Sequence, residues 1–271
     1  MSQLVEDKAT ICVVNYKTAD FIKLCLRSIR KFTNYPYDVM VIDNGSQDES
    51  LDYLKSLKWI NLIERDSKDD PNGGYSHTAA LQFGLESCRT EFFVSMHSDT
   101  FVQKDNWLSN LVRYFDKDES IACVGSDKIE QIPLWRALLK KVTDFKAFRH
   151  KLLKLPDPTG KYRHYNRTIC CLYRTEVLLN EKLSFLMDRD KGFGTGKKLY
   201  FELKDRGYPT VELLASVMRQ YVIHLAHATQ VVNEQEFKLR KRTVKKCNRL
   251  VRKILSSQPA QAIFADDSLD L

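Results

Sequence analysis

The chain has 271 residues, a net charge of +8 at neutral pH and 43% hydrophobic residues. This length suffices for one large domain or two small ones, and no apolar run is long enough to cross a bilayer. The polar, acidic start predicts no secretory signal. Seven scattered cysteines without a C-x-x-C pair favour a reducing, cytoplasmic compartment, with no disulfide and no zinc site.

Four strand-like segments alternate with helical patterns in the first hundred residues. Short apolar runs lie at Thr10–Val14, Asp38–Ile42, Trp59–Glu64 and Phe92–Met96, and apolar residues at helical spacing follow the first two. A helix is also expected at about Ser76–Ser87, after a glycine pair. This alternation predicts a mainly parallel sheet covered by helices.

Polar loops follow three of these strands and should meet at one edge of the sheet. They are Asn15–Thr18, Asp43–Asp48 and His97–Asp99. Ligands of open α/β sheets bind beyond the carboxyl ends of the strands, and a carboxylate there can hold a divalent cation that in turn binds a diphosphate. The alternative role for Asp99 is to cap the next helix.

These loops resemble the motifs of family 2 glycosyltransferases with the GT-A fold. The matching stretches are V-V-N-Y-K-T at 13–18, V-I-D-N-G-S-Q-D at 41–48, N-G-G-Y-S-H at 72–77 and H-S-D-T at 97–100. The resemblance implies an α/β, Rossmann-like fold with a mixed, mainly parallel sheet flanked by helices. It also implies an enzyme that moves a sugar from a nucleotide diphosphate sugar to a hydroxyl of a glycan or lipid-linked acceptor.

The resemblance assigns nucleotide binding to eight residues: Asn15, Tyr16, Thr18, Asp43, Asn72, Gly73, His97 and Ser98. Asp43 would accept a hydrogen bond from the base, which favours UDP or dTDP as the carrier. Its alternative role is that of an Asx-turn residue. Gly73 would allow the backbone to approach the nucleotide closely.

The metal site implied by the resemblance departs from the family pattern. His97-Ser98-Asp99 stands in place of D-x-D, and Asp99 would bind Mn²⁺ or Mg²⁺. His97 could contact the ribose or diphosphate, face away, or bind the metal, and an imidazole ligand favours Mn²⁺. His224 is expected to complete the site, although a buried core histidine is the alternative, and His227 is the second choice.

The catalytic base is the largest departure. The family's Glu-Asp pair before a late helix corresponds to Thr195-Gly196, and neither residue can accept a proton at neutral pH. Asp190 is therefore the first candidate and Asp188 the second, because the acceptor hydroxyl must lose its proton as it attacks. A retaining mechanism or a base supplied by a substrate phosphate stays open. The run G-F-G-T-G-K at 192–197 lacks P-loop spacing and suits a flexible acceptor loop better.

We divide the chain into a GT-A domain at 1–230, with a donor half at about 10–125 and an acceptor half at about 126–230, and an extension at 231–271. The segments Gln131–His164 and Val231–Ala260 each hold nine Lys/Arg residues against two acids. Their apolar stripes predict peripheral binding to an anionic membrane on its cytoplasmic face. Ordinary helices packed on the core are the alternative, and no nucleic acid partner is expected. A mobile acidic tail is expected at 265–271.

Two other functions fit the same sequence. A catalytically weak GT-A-like protein could hold a nucleotide sugar or glycan for a partner, and this would explain the substituted base position. A peripheral membrane adaptor would bind liposomes without hydrolysing any donor. A sugar nucleotidyltransferase fits less well, because the loop after the first strand has no glycine.

Overall fold

A computed structural model describes residues 3–129, 164–188, 190, 192–237 and 239–271. The basic segment Gln131–His164, apart from His164 itself, lies outside these residues. Nine strands are assigned among the described residues: β1 Val5–Asn15, β2 Tyr37–Asp43, β3 Ile60–Glu64, β4 Thr90–His97, β5 Thr100–Val102, β6 Cys123–Ser126, β7 Cys170–Arg174, β8 Thr210–Leu213 and β9 Val222–His224.

Seven of these strands form one sheet in the order β3-β2-β1-β4-β7-β6-β8, and β5 pairs with β9 in a second, two-stranded sheet. The pairs β1–β2, β1–β4, β2–β3 and β6–β8 are parallel, whereas β7 runs antiparallel to both of its neighbours. The structure thus confirms the predicted mixed, mainly parallel sheet.

Ten α-helices in the described part of the chain flank the sheets: α1 Ala19–Phe32, α2 Glu49–Ser56, α3 Gly73–Ser87, α4 Trp107–Lys117, α5 Thr175–Asn180, α6 Lys197–Asp205, α7 Ala215–Met218, α8 Ala228–Val232, α9 Lys241–Leu255 and α10 Gln258–Phe264. The helix α1 buries the face that its helical spacing predicted, including Phe21, Leu24 and Ile29. All seven cysteines are buried in the protein, which fits their expected role as small apolar residues.

The strand register explains why three polar loops converge. Asn15 pairs with Asp43 at the ends of β1 and β2, and Val14 pairs with His97 at the ends of β1 and β4. Because these strands are parallel, their carboxyl ends lie at one edge of the sheet. The sequence prediction that the three loops meet is therefore confirmed.

The basic helix α9 uses its apolar stripe inside the protein. Cys247 is buried, and Val244, Leu250, Val251 and Ile254 pack against the main hydrophobic core. The apolar stripe of this helix therefore packs on protein, which corresponds to the alternative of an ordinary helix packed on the core, and peripheral membrane binding stays a prediction. The Lys and Arg side chains of α9 are exposed on its opposite face.

The acidic C-terminus is docked, which corrects the expectation of a mobile tail. A short 3-10 helix at Asp267–Asp270 places two carboxylates on the guanidinium of Arg27 in α1. The Arg27 side chain is only 1% exposed, and it also donates to the carbonyl oxygen of Phe264. A buried guanidinium needs such partners, because an unpaired charge in the interior is costly.

Across the described residues, we find no helix that combines the length and the apolar character needed to cross a bilayer.

Candidate active site

A cavity of about 850 Å³ opens at the edge of the sheet where the polar loops converge. One wall comes from the loops after β1, β2 and β3, and it includes Tyr16, Asn44 and Asn72. The opposite wall comes from residues around β6 and β7, among them Lys128 and Arg167. The end of β4 lies between the two walls, so that a ligand spanning the cavity would pass over it.

Three side chains at this central position form a candidate metal centre. Atoms of His97, Asp99 and His224 that can bind a metal all lie within 4.8 Å of one another. The Asp99 Oδ1 atom is 3.4 Å from His224 Nε2 and 3.9 Å from His97 Nδ1. Thr100 pairs with His224 across β5 and β9, so the second sheet brings His224 beside the Asp99 carboxylate.

Burial sets the protonation of this centre. It lowers the pKa of His97 well below the usual range, and the neighbouring His77 adds to this effect while Asp99 opposes it. Burial also lowers the pKa of His77 to about 4. For Asp99, burial acts to raise the pKa, but the interactions with His224 prevail and hold it below its ordinary value. His97 is therefore neutral and Asp99 ionised near neutral pH, which are the states that bind metals.

The donor set of the triad fits a divalent transition metal. Two imidazoles and one carboxylate suit Mn²⁺ better than Mg²⁺, which prefers oxygen ligands only. The Nε2 atom of His97 lies 3.3 Å from the hydroxyl of Thr168, which leaves its Nδ1 atom facing Asp99. Of the three roles considered for His97, this arrangement favours that of a metal ligand.

The donor-side wall contains three of the predicted nucleotide-binding residues, Tyr16, Asn72 and Gly73, and Ser98 lines the cavity just after β4. Asn72 caps α3 by accepting a hydrogen bond from the backbone N–H of Tyr75. A side chain at Gly73 would come within 3.3 Å of the Phe237 ring. The capped start of α3 thus faces the cavity, and free N–H groups at a helix start favour anions.

Three other predicted nucleotide-binding residues lie behind this wall. Asn15, Thr18 and Asp43 are buried and do not line the cavity. Asp43 accepts hydrogen bonds from Asn15 Nδ2 at 2.7 Å and from the backbone N–H of Ser46 at 2.9 Å. In this geometry Asp43 holds the loops together, as its turn-forming alternative predicts, and its contact with a base stays a prediction.

The predicted base candidates also lie away from the cavity wall. Asp188 makes a backbone bridge to Phe193, and Asp190 is exposed on the loop between them. Thr195 does line the cavity, and Gly196 caps α6 with a left-handed φ of +68°. Thr195, which corresponds to the first residue of the family's pair, therefore reaches the site, whereas Gly196 at the base position and the two substitute carboxylates are not among the lining residues.

Comparison with known proteins identifies the family. The sequence matches glycosyl transferase family 2 over residues 10–172, which is more than half of the chain and includes His97 and Asp99.

The chain belongs to glycosyl transferase family 2.

Curated relatives of this family 2 chain are similar over shorter stretches. The O-antigen chain rhamnosyltransferase RfbN of Salmonella typhimurium is 30% identical over 117 residues, covering 43% of this chain and 36% of that protein. The teichoic acid poly(glycerol phosphate) polymerase of Staphylococcus epidermidis is 29% identical over 101 residues, covering 34% of this chain and 13% of that protein. The chain thus matches about a third of the rhamnosyltransferase and a smaller part of the polymerase.

Solved structures share the fold at low identity. Mannosyltransferase PcManGT from Pyrobaculum calidifontis, in complex with GDP-Man and Mn²⁺, superimposes with a TM-score of 0.51 at 16% identity, covering 95% of this chain and 78% of its own. S. aureus TarS gives a TM-score of 0.50 at 15% identity, covering 93% of this chain and 44% of its own. These similarities confirm the GT-A fold that the sequence predicted.

Several cavity residues of the family 2 chain were missed from sequence. His77 and Arg167 both line the cavity, and both act to lower the pKa of His97. Arg65 forms a paired hydrogen bond with Asp70 at 2.7 and 2.8 Å and so shapes the donor-side wall. His77 falls inside the matched stretch at 72–77 and could have been found there, but no sequence pattern singles out Arg167 or Asp70.

Proposed function

We propose that this protein transfers a sugar from a nucleotide diphosphate sugar to a hydroxyl of a glycan or lipid-linked acceptor, with a divalent metal held by His97, Asp99 and His224. The observation that carries the proposal is the position of this triad in the middle of the cavity. The family's nucleotide loops lie on one side of it and an open wall lies on the other.

Each wall of the cavity has a role in this reaction. Tyr16, Asn72 and Gly73 would position the nucleotide, and the N–H groups at the start of α3 would receive an anionic group of the donor. Asp99 and His224 would orient the diphosphate through the metal, which when bound supplies Lewis-acid stabilisation of the leaving group. The acceptor would then enter from the side of Thr168 and Thr195.

Relatives and structural neighbours support this assignment. The rhamnosyltransferase and the polymerase named above belong, by their names, to O-antigen and teichoic acid synthesis, so a polysaccharide acceptor is a reasonable inference here. PcManGT was solved with GDP-Man and Mn²⁺, which agrees with Mn²⁺ at a histidine-containing site. The preference for UDP or dTDP rests on Asp43 alone and stays a prediction.

The base and the membrane contact are further parts of the proposal. Asp190, with Asp188 as the alternative, would accept the acceptor's proton if its loop moves toward Thr195.

Membrane binding would rely on the exposed basic face of α9, because the apolar stripe is covered. Basic residues near an anionic surface each contribute about 1 kcal/mol, so this contact would weaken in salt.

The test is calorimetric binding of UDP, GDP, CDP and dTDP, each with Mn²⁺ and with EDTA. The variants are Asp99→Ala and His224→Ala, and the matched control is Asp116→Asn, which removes an exposed carboxylate on α4. We expect one nucleotide to bind only with the metal, with a loss of roughly a hundred-fold in either triad variant and none in the control.

Turnover separates the enzyme from its alternatives. Hydrolysis or transfer of the matching sugar nucleotide by wild-type protein would support the enzyme, whereas tight binding without turnover would support the binding protein. Folded protein that binds none of the four nucleotides would refute the proposal.

A further inference from the structure

The wall opposite the donor loops carries a guanidinium held in a fixed orientation. Arg167 Nε donates to Asp127 Oδ1 at 2.9 Å, and its Nη1 donates to the hydroxyl of Tyr165, also at 2.9 Å. Its guanidinium carbon lies 4.5 Å from the centre of the Tyr165 ring. Within the described residues, the second terminal nitrogen donates to no protein group, although the residue lines the cavity.

A second cation lies beside it without a carboxylate of its own. Lys128 follows β6, lines the same wall and forms no ion pair with any described residue. Asp127 is the acid near both cations, and it is already bound to Arg167 and to His164 at 3.1 Å. Among the described residues of this part of the wall, the positively charged groups therefore outnumber the carboxylates.

The remaining carboxylates of the cavity face other partners. Asp70 is paired with Arg65, and Glu236 is paired with Lys17 at 2.6 Å. Asp99 lies against His224 in the triad. Among the described lining residues, no acid is thus left to balance Lys128, and the exposed Lys128 together with the half-buried Arg167 gives this wall a positive potential that favours an anionic ligand.

The topology separates these cations from the donor loops. The residues that would position the nucleotide follow β1 and β3, whereas Lys128 follows β6 and Arg167 precedes β7. Strand β4, which ends in His97, lies between the two groups. A donor whose diphosphate lies at the triad would leave the cations beyond it, on the side where an acceptor enters.

We propose that the acceptor carries a phosphate or carboxylate close to its reacting hydroxyl, and that Arg167 and Lys128 bind this anion. The inference rests on the glycosyl transfer proposed above and narrows its acceptor to an anionic class. Arg167 supplies a planar donor pre-set by Asp127 and Tyr165, and such a donor matches the oxygens of both groups. Lys128 adds a mobile positive charge at the edge of the wall.

The experiment uses the full chain saturated with the nucleotide it binds and with Mn²⁺, so that the donor side is filled. Methyl phosphate, acetate and uncharged methanol are then titrated by calorimetry. The variants are Arg167→Gln, Arg167→Lys and Lys128→Gln. The control is Lys58→Gln, which removes the same charge from an exposed lysine at the far end of the sheet.

We expect one or both anions to bind to the loaded protein and methanol not to bind. Arg167→Gln and Lys128→Gln should each weaken anion binding about ten-fold, since each removes a positively charged hydrogen-bond donor to the anion. Arg167→Lys should fall in between, because it keeps the charge and loses the planar fork. Nucleotide affinity should stay within about two-fold in all variants, and Lys58→Gln should behave as wild type.

Three results would overturn the inference. Methyl phosphate that competes with the nucleotide, together with weaker nucleotide binding in Arg167→Gln, would assign the cations to the donor's diphosphate. Nucleotide binding without any anion binding would show that the acceptor site is not anionic. If no nucleotide binds, the proposed function itself fails, and anion binding to the unloaded chain would then describe a site without an acceptor role.

Discussion

At the scale of single residues, the candidate metal centre has an imidazole where the family pattern has one of its carboxylates. His97 is neutral because burial lowers its pKa, and its possible ligand atom lies within 4.8 Å of those of Asp99 and His224. A neutral ligand gives the site one negative charge less than a pair of acids would supply. The consequence should be a weaker preference for hard, oxygen-seeking cations.

Replacing His97 by Asp tests this consequence. The His97→Asp variant restores a second carboxylate, and we expect the ratio of Mn²⁺ to Mg²⁺ affinity to fall by about ten-fold or more, since carboxylates suit Mg²⁺. The measurement is nucleotide binding titrated with each metal. His227→Asp is the control, because His227 lines the cavity but is exposed and outside the triad. An unchanged ratio in His97→Asp would show that His97 does not bind the metal.

The base assignment makes a second prediction at this scale. Asp190→Asn should lower kcat by about 10²–10⁴-fold and leave nucleotide affinity unchanged, because a general base acts in the transition state. Asp188→Asn is the matched comparison from the same loop, and Asp116→Asn is the remote one. Full activity in both loop variants would remove these carboxylates from the mechanism and favour a base supplied by the substrate.

At the scale of elements, α6 begins at a point where backbone and site are coupled. Gly196 has a φ of +68°, and a Cβ atom there would lie 2.7 Å from Thr168 Cγ2. Thr168 in turn lies 3.3 Å from His97 Nε2. Direct contacts therefore connect the start of α6 through Thr168 to His97 of the candidate metal centre, and the close approach at Thr168 requires glycine at position 196.

Gly196→Ala should be more damaging than Gly207→Ala, although both glycines have positive φ. At Gly207, with φ +86°, nothing lies within 4 Å of an added Cβ, so only the left-handed backbone penalty of about 1–2 kcal/mol applies. Gly196→Ala adds an overpacking cost of about 1–3 kcal/mol against Thr168. Urea denaturation measures the difference in free energy of unfolding between the two variants.

A double variant supplies the control for this comparison. Thr168→Ser removes the Cγ2 methyl group, so Thr168→Ser combined with Gly196→Ala should lose only the backbone penalty. Equal destabilisation of Gly196→Ala with and without Thr168→Ser would contradict the proposed contact.

Sequence patterns predicted the elements better than the site. Each strand from β1 to β4 has a short apolar or β-branched run, and the parallel arrangement follows from their alternation with helices. The structure brings Asp99 and His224 together, as the motif and the strand position predicted, and their role as metal ligands stays a prediction. The contacts of Asp43 could not be predicted, since nothing in D-N-G-S tells whether the carboxylate faces the cavity or the neighbouring loop. Arg167 was missed because its importance depends on Asp127 and Tyr165, which only the fold brings to its side.

At the scale of the whole molecule, the C-terminus is bound to the first helix. Arg27 Nε donates to Asp270 Oδ1 at 2.9 Å, and Nη2 lies 2.7 Å from Asp267 Oδ1. The hydroxyl of Tyr53 donates to Asp270 at 2.8 Å. These partners are more than 200 positions apart, which is why a charged sequence end was mistaken for a mobile tail. Closing the chain in this way should stabilise the whole domain.

Asp270→Asn and Asp267→Asn form a matched pair for this contact. The Asp270 side chain is 24% exposed and that of Asp267 is 88% exposed, although both contact Arg27. We expect Asp270→Asn to cost about 1–3 kcal/mol and Asp267→Asn less than about 1 kcal/mol, because exposed ion pairs contribute little. The measurement is the free energy of unfolding in urea, and equal losses would contradict this difference.

The same contact predicts sensitivity to acid. Burial acts to raise the pKa of Asp270, but the hydrogen bonds from Arg27 and Tyr53 prevail and hold it below its ordinary value of 3.8. Because the folded pKa is lower than the unfolded one, the stabilisation is present above about pH 3.8 and disappears as the pH falls below it. Wild type and Asp270→Asn should therefore converge in stability in urea titrations as the pH falls through the lowered pKa of Asp270, and a constant gap would contradict the pKa shift.

The reversed direction of β7 determines which chain positions meet at the wall of the cavity. Strand β6 runs toward the cavity and β7 runs away from it, so Ile129 and Arg167, which both line the cavity, lie near the two ends of one long connection. The described chain thus leaves the rim after Ile129 and is at the rim again by Tyr165. Substitutions at these rim positions are expected to change the wall opposite the donor loops while the sheet stays as it is. The antiparallel strand therefore brings two distant chain positions to one wall, where the cavity can vary without a change of scaffold.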